Sequence, residues 1–254
     1  MPKLISFIGN GNMALAIAQG LKDDYEIEVI GRNPKNLDNF EKQLGIRIKK
    51  HPLKSYDITG KTIIFGVKPQ NLQEVSAQLQ GQAKALYSVL AGTTLENLKK
   101  SINADDHVRA MPNMAASIQK SMTTLTGSQH LKEEAIEIFS AIGKAHWLGS
   151  EKEIDIATAL AGSGPAYLAL IAEALTDGAV NQGLKRHDAM AIMRGLFEGF
   201  GTLIQEQHPA LLKDAVMSPG GTTAAGYSAL EKAGVRDACI DAIAQAKARA
   251  DTLS

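Results

Sequence analysis

The stretch Lys3-Leu4-Ile5-Ser6-Phe7-Ile8-Gly9-Asn10-Gly11-Asn12-Met13-Ala14 decides how the rest of the chain is read. Its first half is a short apolar run of the kind that forms a strand buried on both faces of a parallel sheet. The turn G-x-G-x-x-A follows at once, and Leu15, Ile17, Ala18 and Leu21 continue as a helical pattern. Strand, glycine turn and helix in that order mark a dinucleotide-binding βα unit. Gly9 permits the tight turn, Gly11 lets the backbone approach a pyrophosphate, and Ala14 allows the helix to pack closely on the strand. The unpaired N–H groups of the helix start then face the phosphates, so Asn10, Asn12 and Met13 join the two glycines as expected cofactor contacts.

Residues 26–30 read as the second strand, which ends in Gly31-Arg32-Asn33-Pro34. Proteins that select NAD place an acidic residue near this strand end, where it takes the ribose 2′-hydroxyl. Arg32 and Asn33 stand there instead, and a guanidinium and an amide suit a 2′-phosphate. NADPH is therefore the expected cofactor, with NADH as second choice. A helix over 34–44 stops at Gly45, a short strand is expected over 46–48, and 61–67 is a buried strand ending at Val67-Lys68-Pro69. Strands over 85–90 and 107–111 end in Ala91-Gly92-Thr93 and Pro112-Asn113. In a doubly wound sheet such strand ends lie beside the cofactor, which adds Val67, Lys68, Pro69, Ala91, Gly92 and Asn113 to the expected set. Strands over 122–126 and 145–148, with a helix over 132–141 between them, complete the alternation. No strand pattern follows Ser150. The expected organisation is an α/β Rossmann domain, doubly wound with a mostly parallel sheet, over 1–149, and an all-α domain over 150–254.

In the second half Ser150-x-x-Glu153 forms a capping box. Gly162-Ser163-Gly164-Pro165 interrupts the helix it opens, because Pro165 removes a hydrogen bond and crowds the carbonyl one turn back. The pattern resumes to Gly183, Asp188 is expected to cap the next helix, and that helix ends near His208-Pro209. A short helix over 210–216 precedes Ser218-Pro219-Gly220-Gly221-Thr222-Thr223, and helices over 225–232 and 236–251 follow, separated by Gly234. The glycines of the Ser218 loop expose backbone N–H groups, and its hydroxyls are free to donate. Leading into a helix N-terminus, the loop favours an anion such as a small carboxylate. A helical domain of about 100 residues, rich in Ala and Gly, needs a partner subunit to bury its faces.

Composition narrows the classes. Lys+Arg and Asp+Glu both number 27, so neither a nucleic acid nor an anionic membrane is an expected partner. The start of the chain lacks the longer apolar region and small-residue cleavage site of a signal peptide. The longest uncharged stretch, 156–172, falls short of the roughly 20 residues of a spanning helix and contains Pro165, which fits a buried or interface helix. Cys239 is the single cysteine, cannot form an internal disulfide, and fits a reducing, cytoplasmic setting as a small core or interface residue. The six histidines are scattered, no His/Cys group has metal-ligand spacing, and no G-x-S-x-G elbow is present, so no metal is expected.

The ordered set Phe7-Ile8-Gly9-Asn10-Gly11-Asn12-Met13-Ala14, Val67-Lys68-Pro69, Arg109-Ala110-Met111-Pro112-Asn113, Gly162-Ser163-Gly164-Pro165-Ala166-Tyr167 and Ser218-Pro219-Gly220-Gly221-Thr222-Thr223 resembles the pyrroline-5-carboxylate reductase family over essentially the full length. The resemblance implies NAD(P)H-dependent reduction of the cyclic imine 1-pyrroline-5-carboxylate to proline by a homodimer with an interlocked helical domain, assembling further into forms such as a decamer. It also implies that Thr223 hydrogen-bonds near the imine nitrogen as the catalytic residue. Ser218, Gly220, Gly221, Thr222 and Thr223 then hold the carboxylate, with Glu206 at a nearby acidic position. Tyr227 departs from the smaller or aliphatic residue expected there. Two other readings compete: a β-hydroxyacid dehydrogenase of the 6-phosphogluconate dehydrogenase type, and a non-catalytic NADPH sensor. The former wants a lysine on the long helix, and none occurs between Ile154 and Leu184.

Overall fold

The computed structural model describes residues 3–252. Its first part is an eight-stranded sheet built from β1 (Leu4–Ile8), β2 (Glu26–Gly31), β3 (Lys49–Pro52), β5 (Thr62–Phe65), β7 (Ala83–Ser88), β8 (Ala104–Met111), β9 (Ser121–Gly127) and β10 (Gly143–Trp147). The strand order is β10-β9-β8-β7-β5-β1-β2-β3. Every pairing is parallel except β8 with β9, and the six strands from β3 to β8 follow the doubly wound order in which chain direction switches beside the first strand. Two-residue strands β4 (Tyr56–Asp57) and β6 (Leu79–Gln80) pair separately.

Period-two alternation explains how both faces are covered. Ile5, Phe7, Ile27 and Val29 face a core closed by α1 (Asn12–Leu21), α2 (Pro34–Leu44) and α5 (Lys132–Ser140) through Ile17, Phe40 and Phe139. Ile8, Ile30, Ile63 and Phe65 face the other core, closed by Leu72 and Val75 of α3 (Leu72–Ser76) and Leu98 of α4 (Leu95–Ser101). Each of these large side chains is buried, and each contributes about 1.5–3 kcal/mol by leaving water.

A carboxylate interrupts the second face. Glu28 is buried, yet its Oε1 accepts from Ser6 Oγ at 2.5 Å, Tyr56 Oη at 2.6 Å and Lys61 Nζ at 2.8 Å. Burial alone raises its pKa, but the hydrogen bonds from Lys61, Ser6 and Tyr56 outweigh burial and hold it below the usual 4.5. A carboxyl depressed in the folded state contributes stability above its unfolded pKa and loses it as pH falls through the folded value. Urea unfolding free energies should therefore drop as pH falls below about 4.5, and Glu28→Gln should lose about 2 kcal/mol at neutral pH while flattening that acid slope. A variant with the wild-type acid slope would remove Glu28 as the cause.

The chain divides into two compact units. One comprises residues up to Ser163 together with the last turns of the final helix, and the other is Gly164–Gln245. The first unit includes α6 (Glu151–Ala157) and a π-helical turn, Thr158–Gly162, which ends where the expected interruption at residues 162–165 begins. Ser150 Oγ caps α6 by accepting from Glu153 N at 3.3 Å. Arg109 of β8 holds the helix: Nη1 donates to Glu151 Oε1 at 2.8 Å and Nη2 to Asp155 Oδ1 at 2.9 Å, with the arginine side chain only 2% exposed. Glu151 Oε1 also accepts from Leu95 N at 2.7 Å, which ties α4 to the same point.

The second unit contains α7 (Gly164–Asn181), α8 (Arg186–Glu206), α9 (Pro209–Val216), α10 (Thr222–Lys232) and the first part of α11 (Val235–Asp251). Leu168, Leu170, Ile192, Leu196, Leu203 and Ile240 are exposed on it, as is Cys239. Residues Glu151–Asn181 form one helical stretch long and apolar enough, by length and composition, to cross a membrane. Such unpartnered apolar faces mark an interaction surface.

Three sequence expectations are corrected. Residues 46–48 are not a strand: Ile46 and Ile48 pack on the core from a loop, and the pairing strand is the polar β3. Lys185, not Asp188, is the cap residue of α8, and Asp188 sits inside its first turn, where a carboxylate favourably complements the positive end of the helix dipole. Helix α10 begins at Thr222, so Thr222 and Thr223 belong to its first turn rather than to the preceding loop.

Candidate active site

At the switch point β1 and β5 end side by side. Gly9 adopts φ 106°, a backbone conformation that disfavours side chains, and a Cβ there would meet the Gly66 carbonyl oxygen at 2.7 Å. Gly11 is the opposite case: a Cβ on it would meet nothing within 4 Å. Gly11 is also the cap residue of α1 and supplies no capping side chain, so the first-turn N–H groups carried by Asn12 and Met13 have no side-chain acceptor. An open glycine beside an uncapped helix start fits the diphosphate of a dinucleotide.

A cleft of about 300 Å³ opens at this point. Gly9, Asn10 and Gly11 line it from the first turn, Arg32 from the tip of β2, and Val67 and Lys68 from the tip of β5. Sequence reading missed Ile30, Leu53, Asn71 and Val75, which also line it, as do Ile8, Gly31 and Gly66. Gly31 and Gly66, glycines at strand ends, carried a signal that could have found them; Leu53 and Asn71 carried none.

The remaining expected cofactor residues, Asn12 and Met13 included, lie outside the lining. Asn33 Oδ1 caps α2 by accepting from Lys35 N at 2.9 Å, and Pro69 opens the 3₁₀ turn Pro69–Asn71. Ala91 is exposed and Gly92 turns the chain at φ 65°. Asn113 Oδ1 accepts from Ala115 N at 3.0 Å, and its Nδ2 donates to Ala161 O in the π turn at 3.0 Å. Its amide thus joins the end of β8 to the last turn of the first unit.

In the second unit Gly221 N donates to Ser218 O at 3.0 Å, with Pro219 and Gly220 between them and Gly220 at φ 72°. Proline followed by a positive-φ glycine is the composition of a type II turn. The turn delivers the chain to α10, whose cap residue Gly221 again supplies no capping side chain. Thr158, Thr176 and Thr202 each commit their hydroxyl to the carbonyl four residues back, at 2.7, 2.7 and 3.3 Å. Thr222 and Thr223 have no helical carbonyl at that distance, so their exposed hydroxyls and first-turn N–H groups form one donor-rich end. Tyr227 anchors the same helix: its hydroxyl bonds Glu231, Arg236 Nη2 donates to it at 2.9 Å, and Lys213 Nζ lies 5.0 Å from its ring centre. Glu206 is the exposed last residue of α8.

Comparison with known proteins gives this two-part arrangement a family. Residues 151–253 match the family model described as pyrroline-5-carboxylate reductase dimerisation. Residues 4–92 match one described as NADP oxidoreductase, coenzyme F420-dependent. The pyrroline-5-carboxylate reductase of Helicobacter pylori strain J99 is 34% identical over 248 residues, covering 94% of this chain and 96% of that protein. That of Synechocystis sp. is 36% identical over 262 residues, covering 98% and 97%. The solved structure of the Coxiella burnetii pyrroline-5-carboxylate reductase superposes with a TM-score of 0.84 at 32% identity, covering 98% of each chain. With a glycine-turn cleft in one unit, a donor-rich helix start in the other, and relatives above 30% identity along nearly its whole length, the chain belongs to the pyrroline-5-carboxylate reductase family.

Proposed function

We propose that this protein reduces 1-pyrroline-5-carboxylate to proline, using NADPH in preference to NADH. The observation that carries the reading is the pairing of two uncapped helix starts, at Gly11 and Gly221, each preceded by a glycine turn: one suits a diphosphate, the other a carboxylate. A bound nicotinamide supplies the hydride. The chain's own residues then have three tasks. Gly9, Gly11 and the N–H groups of Asn12 and Met13 hold the diphosphate. The first-turn N–H groups and hydroxyls of Thr222 and Thr223 hold the substrate carboxylate, with Ser218, Gly220 and Gly221 shaping the turn. The Thr223 hydroxyl bonds the ring nitrogen, donating to the neutral imine and accepting from its N–H once the imine is protonated. The imine is protonated near neutral pH and accepts hydride readily, so orientation matters more than a strong acid. Glu206 is assigned to the substrate side by family resemblance, and Asn33, Pro69, Ala91, Gly92 and Asn113 to the support of the cofactor cleft. The dimerisation match and the exposed apolar helices support a homodimer that buries them. Further assembly up to a decamer rests on the family resemblance, and the cytoplasmic setting on the single cysteine.

Arg32 supports the NADPH preference, because it is the cation at the β2 tip and lines the cleft. Arg32→Ala should weaken NADPH binding about tenfold and leave NADH nearly unchanged, read by cofactor fluorescence titration. Equal affinities for NADPH before and after the change would remove the assignment. NADPH oxidation with 1-pyrroline-5-carboxylate, set beside NADP⁺ reduction with β-hydroxyacids, separates the reductase from the dehydrogenase reading.

A further inference from the structure

We propose that Glu74 is a specificity-determining residue of the cofactor cleft, one that sets how strongly a 2′-phosphorylated dinucleotide is preferred over an unphosphorylated one. The inference rests on the NADPH reading above. Arg32 Nη1 donates to Glu74 Oε1 at 2.7 Å, and the side chains are 53% and 55% exposed. The two residues come from different elements: Arg32 lines the cleft from the tip of β2, and Glu74, outside the lining, lies on α3 between the lining residues Asn71 and Val75 in sequence. Lys50, which lines the adjoining surface groove together with Arg32, is already held by Asp38 at 2.8 Å and Glu41 at 2.6 Å. Arg32 is the cation that a phosphate meets at the β2 tip, Lys68 lines the same cleft from the tip of β5, and Glu74 takes one terminal nitrogen of Arg32.

The chemistry of the two cofactors then diverges at one atom. A 2′-phosphate carries up to two negative charges and draws on the Arg32 guanidinium, so it must compete with Glu74 for those donors and lie close to that carboxylate. A 2′-hydroxyl can donate to a carboxylate and has no need of the guanidinium. NAD-selecting folds place such an acid at the end of the second strand. Here the acid arrives from α3, 42 residues away in sequence, and shares the position with an arginine. The pair is exposed and opens readily, so Glu74 tempers the phosphate preference rather than abolishing it.

The test is Glu74→Gln, which keeps size and polarity at an exposed position. Affinities for NADPH, NADH, 2′,5′-ADP and 5′-ADP are measured by fluorescence and calorimetry at low and at high salt, with no substrate present. The expected result is about fivefold tighter binding of NADPH and 2′,5′-ADP, unchanged or weaker binding of NADH and 5′-ADP, and a smaller gain at high salt. An unchanged NADPH-to-NADH affinity ratio overturns the proposal. Arg32→Ala, measured in parallel, keeps the two levels apart. If it weakens NADPH while Glu74→Gln changes nothing, Glu74 alone is dismissed. If Arg32→Ala leaves NADPH unaffected, the NADPH reading fails and this proposal fails with it.

Discussion

Replacing Thr223 by alanine is expected to lower kcat/KM about 100-fold while the dissociation constant for NADPH stays at its wild-type value. The magnitude is that of removing one well-placed donor from a site where charge changes during reaction. The donor is available because Thr223 lies in the first turn of α10, where the hydroxyl has no helical carbonyl to bond, unlike Thr158, Thr176 and Thr202. Thr223→Ser keeps the hydroxyl and should retain most of the activity. Equal losses in the alanine and serine variants, or loss of NADPH affinity, would mean that the turn is structural.

Arg109→Ala should have the largest effect on stability, about 3–5 kcal/mol. The guanidinium is almost wholly buried and divides its two terminal nitrogens between Glu151 and Asp155, which lie 42 and 46 residues further along the chain. Its removal leaves two carboxylates facing a buried space without their counter-charge. Lysine is a poor substitute, because one ammonium cannot present two parallel donors to two acids. Arg109→Lys should therefore recover only part of the loss. Chemical unfolding of the three proteins provides the measurement. A loss below about 1 kcal/mol for the alanine variant would place the pair among ordinary surface contacts.

The two glycine turns were legible in sequence because their demands are steric. Gly9 cannot carry a Cβ against Gly66, and Gly220 needs positive φ after Pro219. Helix α2 was equally plain, bounded by Pro34 at its first position and by Gly45 at φ 76°. What escaped was set by long-range contact. The apolar pair Ile46 and Ile48 reads as a strand, yet it marks a loop packed on the core. The strand that follows, β3, forms the polar edge of the sheet and shows no apolar alternation. Strands β4 and β6 have two residues each, too short for any period. Arg109 inside a strand gives no sign of burial until its acidic partners are known. Nor does Glu74, on a five-residue helix, show its pairing with Arg32.

The central claim is hydride transfer to the ring carbon of the imine. NADPH deuterated at nicotinamide C4 on one face, and then on the other, is incubated with the protein and 1-pyrroline-5-carboxylate, and the product is analysed by mass spectrometry and NMR. The account predicts proline carrying a single deuterium on the ring carbon that adjoins nitrogen but does not bear the carboxylate, from one of the two labelled cofactors. Protein that binds NADPH yet forms no deuterated proline from either would contradict it.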